Sequence, residues 1–246
     1  MSRIVESPLH YGAAGRAYRG LLTARDDGTP AKAAVVLLPD WRGQSDLARD
    51  HARVLVDAGC AVAVADLYGD GFSPTDPAQV GPMVKRLMEH REDGVAALSA
   101  CVEALSERVG ASVPVFCLGY SAGGMVALDY GRSGAKVAGI IVCSALLKTA
   151  APGMSTRIAA PVLMLQGTRD EVSPVSTIAE VIAEMDAAGN RFRIHLYGQT
   201  HHAFDNPQAG TDPTARLVYS PESARLARRT IAEFVAEQAG AAGRST

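Results

Sequence analysis

One serine, one histidine and one carboxylate in this sequence have the types and placement of a nucleophilic relay. Ser121 stands in "GYSAG" (119–123), between the apolar run "VPVFCL" (113–118) and a helical pattern that runs to about Tyr130. The G-x-S-x-G spacing has a steric basis. A strand that turns abruptly into a helix strains the backbone of the middle residue, and flanking side chains would collide there. The hydroxyl is then held out beyond the strand, over a helix N-terminus that offers free N–H groups to a developing oxyanion. The alternative is a chance match in a glycine-rich chain, and the strand-to-helix position argues against it. A dinucleotide-binding loop fits less well. The first strand has no GxGxxG after it, and "GYSAGG" lacks the second glycine.

A serine hydroxyl attacks poorly until a base takes its proton. Of the six histidines, His51 and His90 fall in helical patterns, His10 in the N-terminal arm and His195 in mid-strand. Only "THHAF" (200–204) places imidazoles in a loop after a strand, and there His202 is favoured over His201. The base needs an orienting acid. Asp170 in "LQGTRDEVSP" follows the run at 161–166, with Glu171 as competitor and a helix-capping role as the bland reading of Asp170. The order Ser121, Asp170, His202 is the chain order of the α/β-hydrolase arrangement. A second oxyanion donor is expected from "LPDWRGQS" (38–45), with the backbone N–H of Trp41 joining that of Ala122. Asp40, Trp41, Arg42, Tyr120 and Phe204 are expected to line the substrate pocket. The other reading of Trp41 is a core aromatic.

These residues need a frame, and the alternation of patterns supplies one. "AAVVLL" (33–38) is continuous and apolar, as in a strand covered on both faces. "SDLARDHARVLVDAG" (45–59) has helical spacing, with Ser45 as N-cap and Gly59 as stop. Strands are further expected at 16–24, 61–67, 137–143 and 192–197. Helices are expected at 77–109 (broken near Gly94), 174–188 and 221–238. Strand–helix alternation argues for an open, mostly parallel sheet with helices on both faces, and ligands bind beyond the carboxyl ends of such strands. Ser121, Asp170, His202 and the 39–43 loop all fall there. The loops at 68–82 and 204–219 are irregular and would form a small cap or none. A single domain over 1–246 is expected, with a frayed tail from about 239.

Composition narrows the class. The chain has 246 residues, 48% of them hydrophobic, and a net charge of −2. That is enough for a full core, and no basic surplus points to nucleic acid or an anionic membrane. The apolar runs are strand-sized, and the N-terminus lacks the apolar stretch of a signal peptide. Cys60, Cys101, Cys117 and Cys143 lie in apolar segments without paired spacing. They read as buried free thiols of a cytoplasmic protein, with no metal site.

Together the motifs resemble the dienelactone hydrolase family over roughly 33–236. "LPDWRGQSDLARDHARVLVDAGCAVAVADLYGDG", "LGYSAGG", "PVLMLQGTRDEVSP" and "LYGQTHHAFDNP" carry the likeness, and "YSPESARLARRTIAEF" is similar to the closing helix. The resemblance implies the α/β-hydrolase fold, a small-molecule ester or lactone substrate, an acyl-enzyme and no cofactor. It departs in three places. Ser121 replaces the usual cysteine, and Asp40 replaces the usual glutamate, so Asp40 is expected to hold Trp41 or a substrate group instead. Asn206 stands where the founding enzymes carry an arginine for the lactone carboxylate, which leaves Arg42 and Arg86 as anion contacts and dienelactone itself in doubt. Other readings are a triad-bearing binding protein with little turnover, or an acyltransferase or peptidase on the same scaffold. The helix at 77–92 leaves a homodimer open.

Overall fold

The computed structural model describes residues 3–74 and 76–242. Among these, eight strands form one sheet: β1 (Ile4–Ala13), β2 (Arg16–Arg25), β3 (Ala33–Leu38), β4 (Cys60–Val64), β5 (Val115–Ser121), β6 (Gly139–Ala145), β7 (Val162–Gly167) and β8 (Phe192–Tyr197). Their spatial order is β1-β2-β4-β3-β5-β6-β7-β8. β1 and β2 form an antiparallel hairpin whose second strand joins β4 antiparallel, and every later pairing is parallel. Six helices accompany them: α1 (Asp46–Asp57), α2 (Val80–Glu89), α3 (Arg91–Val109), α4 (Ala122–Arg132), α5 (Val175–Ala187) and α6 (Pro221–Ala242).

The continuous apolar runs follow from this layering. In β3, Ala34, Val36 and Leu38 face a core shared with α3, α4 and α5. Ala33, Val35 and Leu37 face the opposite core, built on α1 and α6. A strand covered on both faces has no position at which a polar side chain meets water. The edges read differently. β8 has no buried residue, and β1 carries Pro8, which an edge strand tolerates because one of its sides needs no ladder donor. Its mixed sequence, "IVESPLHYGA", hides the strand, which is why only an N-terminal arm was expected there.

Local signals placed other boundaries well. The Ser45 side chain accepts the Ala48 N–H at the start of α1, and Gly59 follows the helix at φ 95°. The break expected near Gly94 lies instead at His90, between α2 and α3. Gly94 sits inside α3, where a Cβ would come 3.2 Å from a Val126 methyl, so it permits close packing of α3 on α4. The tail expected from about 239 is helical through Ala242, and the rest lies outside the described residues.

A charged network ties the helices of one layer together, and nothing in the sequence pattern announced it. The Arg132 side chain is fully buried. It donates to Asp129 on its own helix at 2.9 Å, to Glu184 on α5 at 2.5 Å and to the Lys148 carbonyl at 3.0 Å. Arg91, at the start of α3, grips the same Asp129 with two further hydrogen bonds. Removing one member leaves uncompensated charge in a low-dielectric layer. Arg132→Ala is therefore expected to lower stability by about 3–5 kcal/mol in urea unfolding. A loss below about 1 kcal/mol would show that the network is incidental.

Candidate active site

The end of β5 sets the geometry. Ser121 has φ 47° and ψ −118°, in the positive-φ region that a serine enters only under constraint. The neighbouring backbone is packed too tightly for side chains. A Cβ at Gly119 would lie 2.3 Å from the Gly123 carbonyl oxygen, and one at Gly123 would lie 2.5 Å from that of Leu38. The G-x-S-x-G pattern thus appears as two backbone contacts, one inside the turn and one between the turn and the end of β3.

Ser121 Oγ lies 3.0 Å from His202 Nε2, and His202 Nδ1 lies 2.7 Å from Asp170 Oδ2. Asp170 and His202 are buried and Ser121 is partly exposed. The Asp170 Oδ1 accepts the N–H groups of Val172 and Ser173, which fixes the carboxylate before it meets the ring. The loops of Asp170 and His202 pack directly on each other. A Cβ at Gly167 would fall 2.1 Å from the Thr200 carbonyl oxygen, so glycine lets them meet. Glu171 is exposed, and His201 takes no part in the contacts of Ser121 or Asp170.

A cavity of about 760 Å³ opens over Ser121, lined by Trp41, Tyr120, Val84, Met88, Leu146 and Leu217 among others. Its walls come from α2 and from the segment after His202; of the two loops expected to form a cap, 204–219 lines the cavity, whereas 68–82 reaches it only through Val80 and Gly81, which begin α2. Ala122 begins α4, so its N–H belongs to the first turn and lacks a partner within the helix. Trp41 lines the same cavity, and the Tyr68 hydroxyl donates to its carbonyl oxygen at 2.8 Å. Tyr68 is held in turn by Asp66, whose carboxylate accepts the N–H groups of Arg19, Tyr68, Gly69 and Gly71. That explains the "DLYGDG" segment: the acid organises a loop that braces the Trp41 turn. Neither Asp66 nor Tyr68 was singled out beforehand. The signal lay in an acid followed by two glycines after a strand, a turn-forming pattern.

Several expectations need correction. Phe204 is fully buried, edge-on to Tyr197, and belongs to the core below the sheet edge, not to the cavity wall. Asp40 lines the Ser121 cavity together with Arg42, but it does not hold Trp41. It accepts the Arg42 N–H at 2.9 Å and pairs with the Arg42 guanidinium at 2.5 Å. Arg42 also donates to Gln208, so its charge is already matched. Arg86 lines a separate cavity of about 430 Å³ on the other side of α2. Asn206 does line the Ser121 cavity, and its side chain accepts the Gln208 N–H.

Beneath the site, His51 of α1 stacks on Tyr120 with ring centroids 4.3 Å apart, and its Nε2 lies 3.6 Å from Asp205. Burial lowers the His51 pKa to about 4 and raises that of Asp205 to about 6. All four cysteines are free and buried, and burial pushes their thiols up, Cys60 to about 11 and Cys101 to about 12. No thiolate is thereby favoured at neutral pH. Among the described residues, no group of three or more His, Cys, Asp or Glu could hold a metal, and no helix is long and apolar enough to cross a membrane.

A mostly parallel sheet flanked by helices, with a strained serine, an acid and a histidine at its carboxyl edge in that chain order, defines an α/β hydrolase. The sequence model of the dienelactone hydrolase family matches residues 19–239, and the chain belongs to that family of hydrolases acting on ester bonds. No curated protein matches the sequence. Among solved structures, one named m3DLH shares 27% identity over 95% of this chain and 98% of its own, with a TM-score of 0.88. The dienelactone hydrolase-like promiscuous phosphotriesterase P91 from metagenomic libraries shares 23% over 96% and 98%, also at 0.88. A cold-adapted esterase from an Arctic intertidal metagenomic library shares 16% over 94% of each chain at 0.68. The last two likenesses are likenesses of fold.

The His51–Asp205 pair gives a pH test of this layer. A histidine with a depressed folded pKa contributes stability present above its ordinary value of 6.5 and lost as pH falls towards about 4. Asp205, raised from 3.8, contributes in the opposite sense: stability present at low pH and lost as pH rises through about 6. Between these limits the two slopes oppose each other. His51→Phe removes only the first, so the variant should gain stability relative to the parent as pH drops from 6.5 to 4, by on the order of 2 kcal/mol in urea unfolding. A difference independent of pH would contradict this.

Proposed function

We propose that this member of the family is a serine hydrolase that cleaves carboxylic esters or lactones through an acyl-enzyme on Ser121. The observation that carries the reading is the unbroken contact from Ser121 Oγ to His202 to Asp170 beneath a mainly apolar cavity. His202 Nε2 takes the Ser121 proton as Oγ attacks the acyl carbonyl. Asp170 holds Nδ1–H, which fixes the tautomer and stabilises the cation that forms. The N–H groups of Trp41 and Ala122 receive the oxyanion. His202 then protonates the departing alcohol, and water releases the acyl group by the reverse of these roles.

A serine suits this surrounding. The thiols are buried and disfavoured as thiolates, and Asp40, which replaces the family's usual glutamate, is occupied by Arg42. The cavity is larger than a small lactone requires, and its apolar walls favour esters with an extended acyl or aryl body. Asn206 offers no charge to a carboxylate where the family arginine would stand, which argues against dienelactone as the preferred substrate. The elements that place these groups belong to one sheet, and we read residues 1–246 as one domain with one site.

The test combines a mutation with labelling. Ser121→Ala should lower kcat on an aryl ester by on the order of a million-fold if serine and histidine act as a unit. A fluorophosphonate should modify Ser121 on peptide mapping, while a thiol alkylator should leave the folded protein active. Parent-like turnover in Ser121→Ala, or a label on another residue, would refute the assignment.

A further inference from the structure

Ser144 has a part in this site that the motif does not reveal. It lies in β6, is 1% exposed and lines the Ser121 cavity. Its φ is 47°, a left-handed value uncommon for serine, and at that point β6 slips its register against β5, so that Ser121 pairs with Ala145. The Ser144 hydroxyl accepts the N–H of Ala203 at 2.7 Å. Ala203 directly follows His202 and is itself at φ 59°. Two non-glycine residues in a costly backbone conformation are thus joined by one hydrogen bond, at the peptide that carries the imidazole. Left-handed backbone is unfavourable for an alanine or serine, and such strain persists only where the surroundings enforce it.

The surroundings do enforce it. Both backbone groups of Ala145 are bound by the Gln166 side chain, at 2.7 and 3.1 Å. The Ser173 hydroxyl donates to the same Ala145 carbonyl oxygen and accepts the Leu147 N–H. The Leu146 N–H donates to the Ser121 carbonyl oxygen at 2.8 Å. The end of β6 is therefore a rigid post, bonded to the nucleophile's backbone on one side and reaching the histidine loop through Ser144 on the other. Asp170 fixes the direction of the ring through Nδ1, and the backbone that carries the ring is tied on both sides of its peptide: the His202 carbonyl oxygen accepts the Val218 N–H at 3.1 Å, and Ser144 holds the Ala203 N–H.

We propose that Ser144 is a positioning residue for the hydrolytic reaction: by accepting the Ala203 N–H it fixes the backbone of His202 and keeps Nε2 within reach of Ser121 Oγ. The inference rests on the serine relay described above. Its loss should act on kcat far more than on KM, because Ser144 is 1% exposed and its hydroxyl is taken by the Ala203 N–H, so it offers a substrate almost no surface of the cavity it lines.

Two substitutions remove the acceptor with opposite effects on strain. Ser144→Ala keeps the unfavourable left-handed residue, whereas Ser144→Gly relieves it. Both should lower kcat, and the rate of Ser121 labelling by a fluorophosphonate, by about ten- to a hundredfold, with KM within about twofold of the parent. Ser144→Gly should do so with a Tm no lower than that of Ser144→Ala. In proton NMR, the low-field signal of His202 Nδ1–H should broaden or shift in both variants. If Ser144→Gly keeps parental kcat and labelling rate, the positioning role is wrong, whatever happens to Tm. If the kcat loss merely tracks the loss of Tm across the two variants, the role is structural and the proposal fails. An active Ser121→Ala would instead overturn the relay itself, so the two failures are distinguishable.

Discussion

The close approach of bare backbone at the end of β5 is the constraint on which the rest of the site depends. Gly119, Gly123 and the Leu38 carbonyl meet at distances that no side chain permits. That contact lets the chain reverse from strand to helix within one residue. It forces Ser121 to a positive φ and brings the first turn of α4 against the loop after β3. Ser121, the Ala122 N–H and the Trp41 turn are therefore placed by a single packing event. Hydrogen bonds refine this placement but do not create it.

Asp170 and His202 are placed by similar means two and three strands further along the sheet edge. Gly167 lets the Thr200 carbonyl lie against the end of β7, so the His202 loop rests on the Asp170 loop. Asp170 is tied by two N–H groups of its own loop, and Asp66 organises the Tyr68 loop in the same way. In each case a buried carboxylate collects backbone donors that would otherwise be unsatisfied, and so converts a loop into a fixed support. The helix α2 forms one wall of the cavity over Ser121 and one wall of a second cavity behind it.

Much of this was legible because the relevant signals are local. Continuous apolar runs mark strands covered on both faces, and Ser45 and Gly59 bound α1 by their own backbone chemistry. The three relay residues stand just after strands because a parallel sheet sends its loops there. What the sequence hid is non-local. Phe204 lies two residues from His202 and looks like pocket lining, but alternation around that loop turns it into the core. Gly94 looked like a helix break and is a helix–helix contact, since composition cannot tell a flexible glycine from a crowded one. The Asp40–Arg42 pair and the Arg132 network depend on side-chain directions that no spacing rule supplies. Ser144 is unremarkable in "IIVCSALL", and only its backbone angle and its partner distinguish it.

The central claim is that nucleophile, base and oxyanion donors converge on one point above the sheet edge. A crystal structure of the protein after reaction with an alkyl phosphonate ester tests this most directly. The account predicts a phosphorus–oxygen bond to the Oγ of residue 121, the phosphoryl oxygen between the amides of residues 41 and 122, and the ring of residue 202 within hydrogen-bond reach of the adduct. Phosphorus bonded to any other side chain, or a phosphoryl oxygen turned away from both amides, would contradict it.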